Sequence, residues 1–277
     1  MKSRRAFTIV EIMVVIGIIA LLVSLLMPAL SSVRKTSQAT KSMSNLRQWG
    51  IGTINYCAIN KDLLPWEGLK NPGDMPVNFA DRNWWANAIP PLVGQRPYKE
   101  ISEEATSKGL DVPLPPNDDS IFVDPAAVPT EGTPWHAGTS TNLVQFFFCY
   151  VPNSQLNNTY ANSANTSNPY ARMKLGQISK GDATILMLEM RSNKNELSRD
   201  DPYYNEALNR HRSDWKRFAA RHFDGGHMLF ADGHVDRVLN EVATTNNHGV
   251  RDPHDPNGDW NQSKLVWDPM GPALDDN

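Results

Sequence analysis

The sequence predicts an α+β chain: one long N-terminal helix, short strands downstream, and large loop insertions between them. Two observations lead there. Residues 12–30 are apolar apart from Gly17, Ser24 and Pro28, and a helical pattern continues beyond them to about residue 57. Further along, short apolar runs at 142–150 and 183–189 read as strands, and Asp232-Gly233 lies between two alternating runs, as in a hairpin.

The apolar run comes first. Ile12 to Leu30 as a helix spans roughly 28 Å at about 1.5 Å per residue, close to the hydrocarbon thickness of a bilayer. Lys2, Arg4 and Arg5 precede it, and the first acid is Glu11, at the mouth of the run. A basic start followed by apolar residues also describes a secretory signal. This run is longer than the usual signal core, no A-x-A-like site ends it at Met27-Pro28-Ala29-Leu30, and the helix does not stop at the membrane edge. A carboxylate at the edge of hydrocarbon is expensive and calls for a partner. The expectation is a membrane anchor.

After Pro28, which removes one helical hydrogen bond and favours a kink, Leu30, Val33, Met43, Leu46, Ile54 and Cys57 form a stripe. Arg34, Lys35, Gln38, Lys41 and Arg47 lie outside that stripe, which is expected to pack on a globular domain. Gly50 and Gly52 weaken the helix near its end, and Leu63-Leu64-Pro65 closes it. The positive residues after the span leave orientation undecided by charge.

Arg4-Arg5-Ala6-Phe7-Thr8-Ile9-Val10-Glu11 resembles the cleavage and methylation segment of type IV prepilins and type II secretion pseudopilins. The resemblance implies a cut between Ala6 and Phe7 by a prepilin peptidase that also methylates the new amine; Ala6 stands where glycine is usual. It implies that Glu11 pairs with the free amine of a neighbouring subunit, and that Pro28 is the helix-kinking proline of the assembly segment. The domain plan is then a basic leader at 1–6, a transmembrane and assembly segment at 7–30, an amphipathic continuation at 31–64, and an exported pilin-like domain at 65–277. The fold implied is a long helix packed on an antiparallel sheet. The implied partners are the peptidase/methyltransferase, other pilin-like subunits and an inner-membrane assembly platform. The N-terminus would be cytoplasmic and the domain periplasmic or in a filament.

Asn45-Leu46-Arg47-Gln48-Trp49-Gly50 is similar to an NLxQxG-type stretch of prepilin-like proteins abundant in planctomycetes, and is read as helix packing. His222 with Asp232-Gly233 matches the H-X9-DG spacing of the same group. The residues themselves suggest a structural role, with His222 hydrogen-bonding the turn. Pairing Ala231 with His234 across a two-residue type I′ turn would put Met228, Phe230 and Val235 on one face. His227, Leu229, His234 and Asp236 would lie on the other, making His227, His234 and Asp236 candidate zinc ligands, with His222 nearby. No HExxH helix accompanies them.

The middle of the chain, 66–140, is rich in Pro, Trp and Asp; Trp84, Trp85, Ile89, Leu92 and Val93 suggest one short helix and the rest reads as turns. Residues 191–217 suggest another short helix, and 153–169 a surface loop. Asp252, Asp255, Asn257 and Asp259 form an oxygen-rich segment of candidate calcium ligands, without the full EF-hand spacing. Cys57 and Cys149 carry no metal or framework signature; a single bridge and two buried thiols both fit.

Net charge is −3, and without the three basic leader residues 24 Lys+Arg face 30 Asp+Glu, a net of −6. That argues against polyanions, nucleic acid included. The expectation is a non-enzymatic pilin-like structural subunit with no certain cofactor. Two other classes compete: an anchored polysaccharide-binding or adhesive domain using its aromatic loops, and an anchored metal-dependent hydrolase built on the histidines.

Overall fold

The computed structural model describes residues 9–67, 80–109, 120–127, 135–136, 143–144, 148–156, 172–206, 208, 211–255 and 258–270. Helix α1 runs from Ile9 to Ile59, 51 residues, or roughly 77 Å at helical rise. It passes through Pro28 without interruption, although the Ser24 carbonyl loses its usual donor there. Beyond Ile59, Lys61 and Asp62 turn the chain at positive φ, 57° and 68°.

The two halves of α1 meet different surroundings. Among the described residues, nothing in the domain covers Ile9–Leu30, whose large apolar side chains are all exposed. From Ala39 on, one face is buried: Ala39, Ser42, Asn45, Leu46, Trp49, Thr53, Tyr56 and Cys57, at the three- and four-residue steps of a helix face. This corrects the expected stripe. Leu46 and Cys57 are buried, but Leu30, Val33 and Ile54 are exposed. The docked face is richer in polar residues than apolar periodicity suggests, because it meets polar groups on the domain.

Four strands form the sheet, in the order β3 (Tyr150–Pro152), β4 (Ile185–Glu189), β5 (Gly225–Phe230) and β6 (Val235–Leu239), all antiparallel. A two-residue pair, β1 (Trp135–His136) with β2 (Leu143–Val144), stands apart. The architecture is α+β, as the sequence predicts. β5 lies along α1: Glu189 beside His227 meets Ser42, Leu229 meets Gly50, and Gly233 meets Ile54.

The β5–β6 register differs by one residue from the expected one. Phe230 pairs with His234 across three residues, Leu229 faces Val235, His227 faces Arg237 and Met228 faces Asp236. Gly233 alone in that turn has positive φ, 93°, as in a three-residue hairpin loop rather than a type I′ turn. Positive φ at two successive residues occurs instead at Phe223 and Asp224, 53° and 61°, where His222 and Gly225 exchange backbone hydrogen bonds.

Short elements fill the insertions: α2 (Trp85–Ala88), followed by a 3₁₀ turn at Pro90–Val93, then α3 (Tyr98–Ser107) and, after β6, α4 (Asn240–Ala243). The expected helix around Trp84–Val93 is thus two short pieces, since Pro90 and Pro91 withhold backbone donors. α3 falls where turns were expected. Its signals are helical all the same: Ile101 and Ala105 are buried four residues apart, and Arg96–Glu100, Lys99–Glu103 and Glu104–Lys108 are i,i+4 ion pairs. Residues 194–196 and 215–217 form 3₁₀ turns where a helix was expected.

Trp49, Trp84, Trp85, Tyr98, Phe122 and Phe148 pack as one aromatic cluster with ring centroids 4.8–6.4 Å apart. Trp215 and Trp260 stack at 4.3 Å, both buried. These tryptophans are core anchors and present no exposed platform for sugar rings.

Close approach of α1 to the insertion depends on Gly52. A Cβ there would fall 2.4 Å from Ile89 Cγ2 and 3.3 Å from Ile89 O. Gly52→Val is expected to cost about 1–3 kcal/mol of stability, read as a lower thermal midpoint. Gly17→Ala, with nothing within 4 Å, should leave that midpoint unchanged.

Candidate functional site

The polar face of α1 docks on a row of polar side chains that crosses the sheet. Tyr150 of β3 pairs with Glu189 of β4, and Glu189 Oε1 lies 2.6 Å from His227 Nδ1 of β5. Ser42 of α1 donates to Glu189 Oε1 and lies 2.9 Å from the Tyr150 hydroxyl. α1 also holds a loop. Gln38, Asn45 and Trp49 donate to the carbonyls of Pro125, Val123 and Ile121, at 2.9, 3.2 and 2.8 Å. These are three alternate carbonyls of a turn-rich loop that belongs to no named strand, so side chains of α1 supply their donors.

That loop delivers Asp124. Its Oδ1 accepts from Ala126 N at 2.7 Å, and its Oδ2 lies 2.8 Å from His222 Nε2. His222 Nε2 is also 3.6 Å from Glu189 Oε1, and the two imidazoles sit 4.8 Å apart between centroids. The tight turn at Phe223-Asp224 folds His222 back against His227. Arg237 Nη1 donates to Phe223 O and Asn240 N to Asp224 O, holding the turn. Side chains of Asp124 and Glu189 are 0 % exposed, and those of His222 and His227 are 2 % and 1 %.

Electrostatics follow from burial and pairing together. Burial alone would lower His222, but the hydrogen bond with Asp124 and the charges of Glu189 and Asp124 hold its imidazole above the ordinary value. Burial would raise Asp124, yet His222 and the Arg221 guanidinium keep it below the usual carboxylate range. Burial, with Asp124 and Glu189 adding to it, keeps the Tyr150 phenol well above its ordinary value. Arg221 is itself engaged, 3.0 Å from Glu196 Oε1 and 2.6 Å from Met190 O.

The residues singled out from the sequence fall in several places. His222 bonds Asp124 and not the Asp232-Gly233 turn, which lies at the other end of β5. Asp232 Oδ1 instead accepts from His234 N at 3.0 Å and pairs with His234 Nδ1 at 2.6 Å. His227, His234 and Asp236 do not converge. The one-residue register shift puts Asp236 opposite Met228, and His234 stacks on Phe230 at 4.3 Å, on the face away from His227. Among the described residues, the metal-ligand types that do converge are Glu189, His222 and His227, with ligand atoms within 4.8 Å of one another.

Of the acidic tail, Asp252 and Asp259 accept from the backbone of His254 and Asn261, and Asp255 accepts from Asn246. These carboxylates brace turns, and Asn257 lies outside the described residues. Cys57 and Cys149 are free and buried, with burial pushing their thiols up to about 11 and about 12. Ala6 and Phe7 lie outside the described residues; Glu11 is in the first turn of α1.

Asp124 and Glu189 were not anticipated as site residues. Glu189 carried a signal: a lone acid closing the fully apolar run Ile185–Leu188 must find a buried partner. Asp124 carried almost none, since its partner lies 98 residues away.

Residues 1–27 match the prokaryotic N-terminal methylation motif. The chain carries a prepilin-type N-terminal segment. That segment, running into a long apolar helix beside an α+β domain, supports a type IV pilin- or pseudopilin-like precursor anchored in a membrane. No match was found among curated proteins or among solved structures.

Removing one member of the Asp124–His222 pair strands the other in the core. His222→Ala and Asp124→Ala are each expected to cost about 3–5 kcal/mol. The double variant should cost clearly less than their sum, measured by denaturant unfolding; strict additivity would show that the two side chains do not act as a pair.

Proposed function

We propose that this protein is a pseudopilin- or minor pilin-like structural subunit of a type II secretion or type IV pilus-like assembly. A prepilin peptidase cuts between Ala6 and Phe7 and methylates Phe7; the mature chain then packs through α1 into a bundle of similar helices. Before assembly it sits in the inner membrane, with its N-terminus cytoplasmic and its domain periplasmic. The role is structural rather than catalytic.

The observation that carries this reading is the methylation motif at 1–27 continuing directly into a helix that its own domain leaves uncovered. An uncovered apolar helix requires lipid or other helices. In the domain half the outward face is mixed, with Ile51 and Ile59 exposed among Lys41, Arg47 and Asn55. Glu11, at the edge of hydrocarbon, suits a charge pair with the new amine of a neighbouring subunit and would set the register between helices.

Mass spectrometry of the mature chain tests the first step. The expected N-terminus is N-methylated Phe7. An uncut chain, or one cut near residue 30, would overturn the proposal. Glu11→Ala is expected to keep the cleavage and lose cross-linking between neighbouring subunits.

A further inference from the structure

We propose that Asp124, Glu189, His222 and His227 form a buried site for one divalent transition-metal ion, with zinc the best-fitting class, which clamps α1 and the 121–125 loop to the sheet. The inference does not depend on the assembly role of the N-terminal helix.

Geometry supplies the first argument. Glu189, His222 and His227 each place one ligand atom within 4.8 Å of the others, and Asp124 Oδ2 adds a fourth, 2.8 Å from His222 Nε2. In a tetrahedral zinc site with bonds of about 2.0–2.1 Å, ligand atoms stand roughly 3.3 Å apart. The separations here are 2.6 Å for His227 to Glu189, 2.8 Å for His222 to Asp124 and 3.6 Å for His222 to Glu189. The two shorter ones are hydrogen-bond distances, held by shared protons. A cation that displaces those protons needs each of those two pairs to part by less than about 1 Å.

Charge supplies the second. Two fully buried carboxylates face two imidazoles, and the neighbouring guanidinium of Arg221 already serves Glu196. A divalent cation offsets both negative charges at once. Glu189 Oε2, moreover, is buried and accepts no hydrogen bond among the described residues, which a carboxylate bound to a cation tolerates far better than an isolated one.

The donor set selects the metal. Two imidazole nitrogens with two carboxylate oxygens suit zinc and its neighbours, whereas magnesium and calcium favour all-oxygen sites. The surroundings are those of a structural site. Ala126 N holds the other oxygen of Asp124, and Ser42, backed by Tyr150, fixes Glu189 from outside. Such outer partners typically matter 10- to 100-fold for affinity. Because Ser42 belongs to α1, metal affinity and helix docking are linked.

The test uses the full-length chain, extracted from membranes in detergent, stripped with chelator and titrated with zinc chloride or cobalt chloride. Expected results are one ion per chain, the visible d–d bands of four-coordinate cobalt, and a thermal midpoint raised by zinc and lowered again by chelator. His227→Gln and Glu189→Gln should abolish uptake. Ser42→Ala should weaken it about 10-fold, while His234→Ala and Asp236→Ala leave it unchanged. If the histidine and glutamate variants do not fold, Ser42→Ala and the midpoint of the unaltered chain still decide. A folded chain that takes up neither metal, or whose midpoint ignores both zinc and chelator, overturns the site. Uptake that survives His227→Gln in folded protein overturns it equally.

Discussion

Burying Glu189 is the constraint around which the domain beside α1 is arranged. An isolated carboxylate in the interior costs several kcal/mol, so a fully buried Glu189 persists only with partners, and those it has gather on Oε1. Each partner comes from a different element: Ser42 from α1, His227 from β5, Tyr150 through Ser42 from β3, and His222, which carries the link onward to Asp124. Displacing one element exposes or strands the groups of the others. The docking of α1 is therefore cooperative with the sheet and is more than an apolar contact.

This explains why the docked face of α1 is polar. Gln38, Asn45 and Trp49 satisfy alternate carbonyls of the 121–125 segment, and Ser42 satisfies Glu189. Apolar side chains at those positions would leave buried acceptors unpaired. The outward face of the same stretch is mixed, with Ile51 and Ile59 exposed among Thr40, Lys41, Ser44, Arg47 and Asn55, so the polar groups of the docked face are there for their partners and not for solvent.

Local patterns were legible in the sequence; tertiary pairings were not. α1, β4, the β5–β6 hairpin and the Asp232-Gly233 turn each carry their own signal in periodicity or turn residues. The register of that hairpin was missed by one residue, because Asp-Gly fits a two-residue loop as well as the tip of a three-residue one. In a strand a one-residue shift changes which face each side chain occupies, so His234 and Asp236 were grouped wrongly with His227. The polar stripe of α1 was missed for a related reason: apolar periodicity reports burial against apolar neighbours only. Ser42, Asn45 and Thr53 are buried because of what lies opposite them, in residues 78 to 147 positions away for the first two.

The spacing between His222 and Asp232-Gly233 gains a physical meaning from this arrangement. β5 lies between them, six residues or about 20 Å at strand rise. Its two ends meet α1 at Ser42, through Glu189, and at Ile54, which lies 3.1 Å from the position a Cβ on Gly233 would take. Ser42 to Ile54 on the helix is about 18 Å. Strand and helix thus measure the same length between the same two contacts, the polar cluster at one end and the turn at the other. Adding or removing one residue between His222 and Gly233 would displace one contact by about 3.3 Å and turn His227 away from Glu189. The spacing is therefore a register constraint on how β5 lies along the helix, and it ties the hairpin to the same buried carboxylate on which the docking of α1 depends.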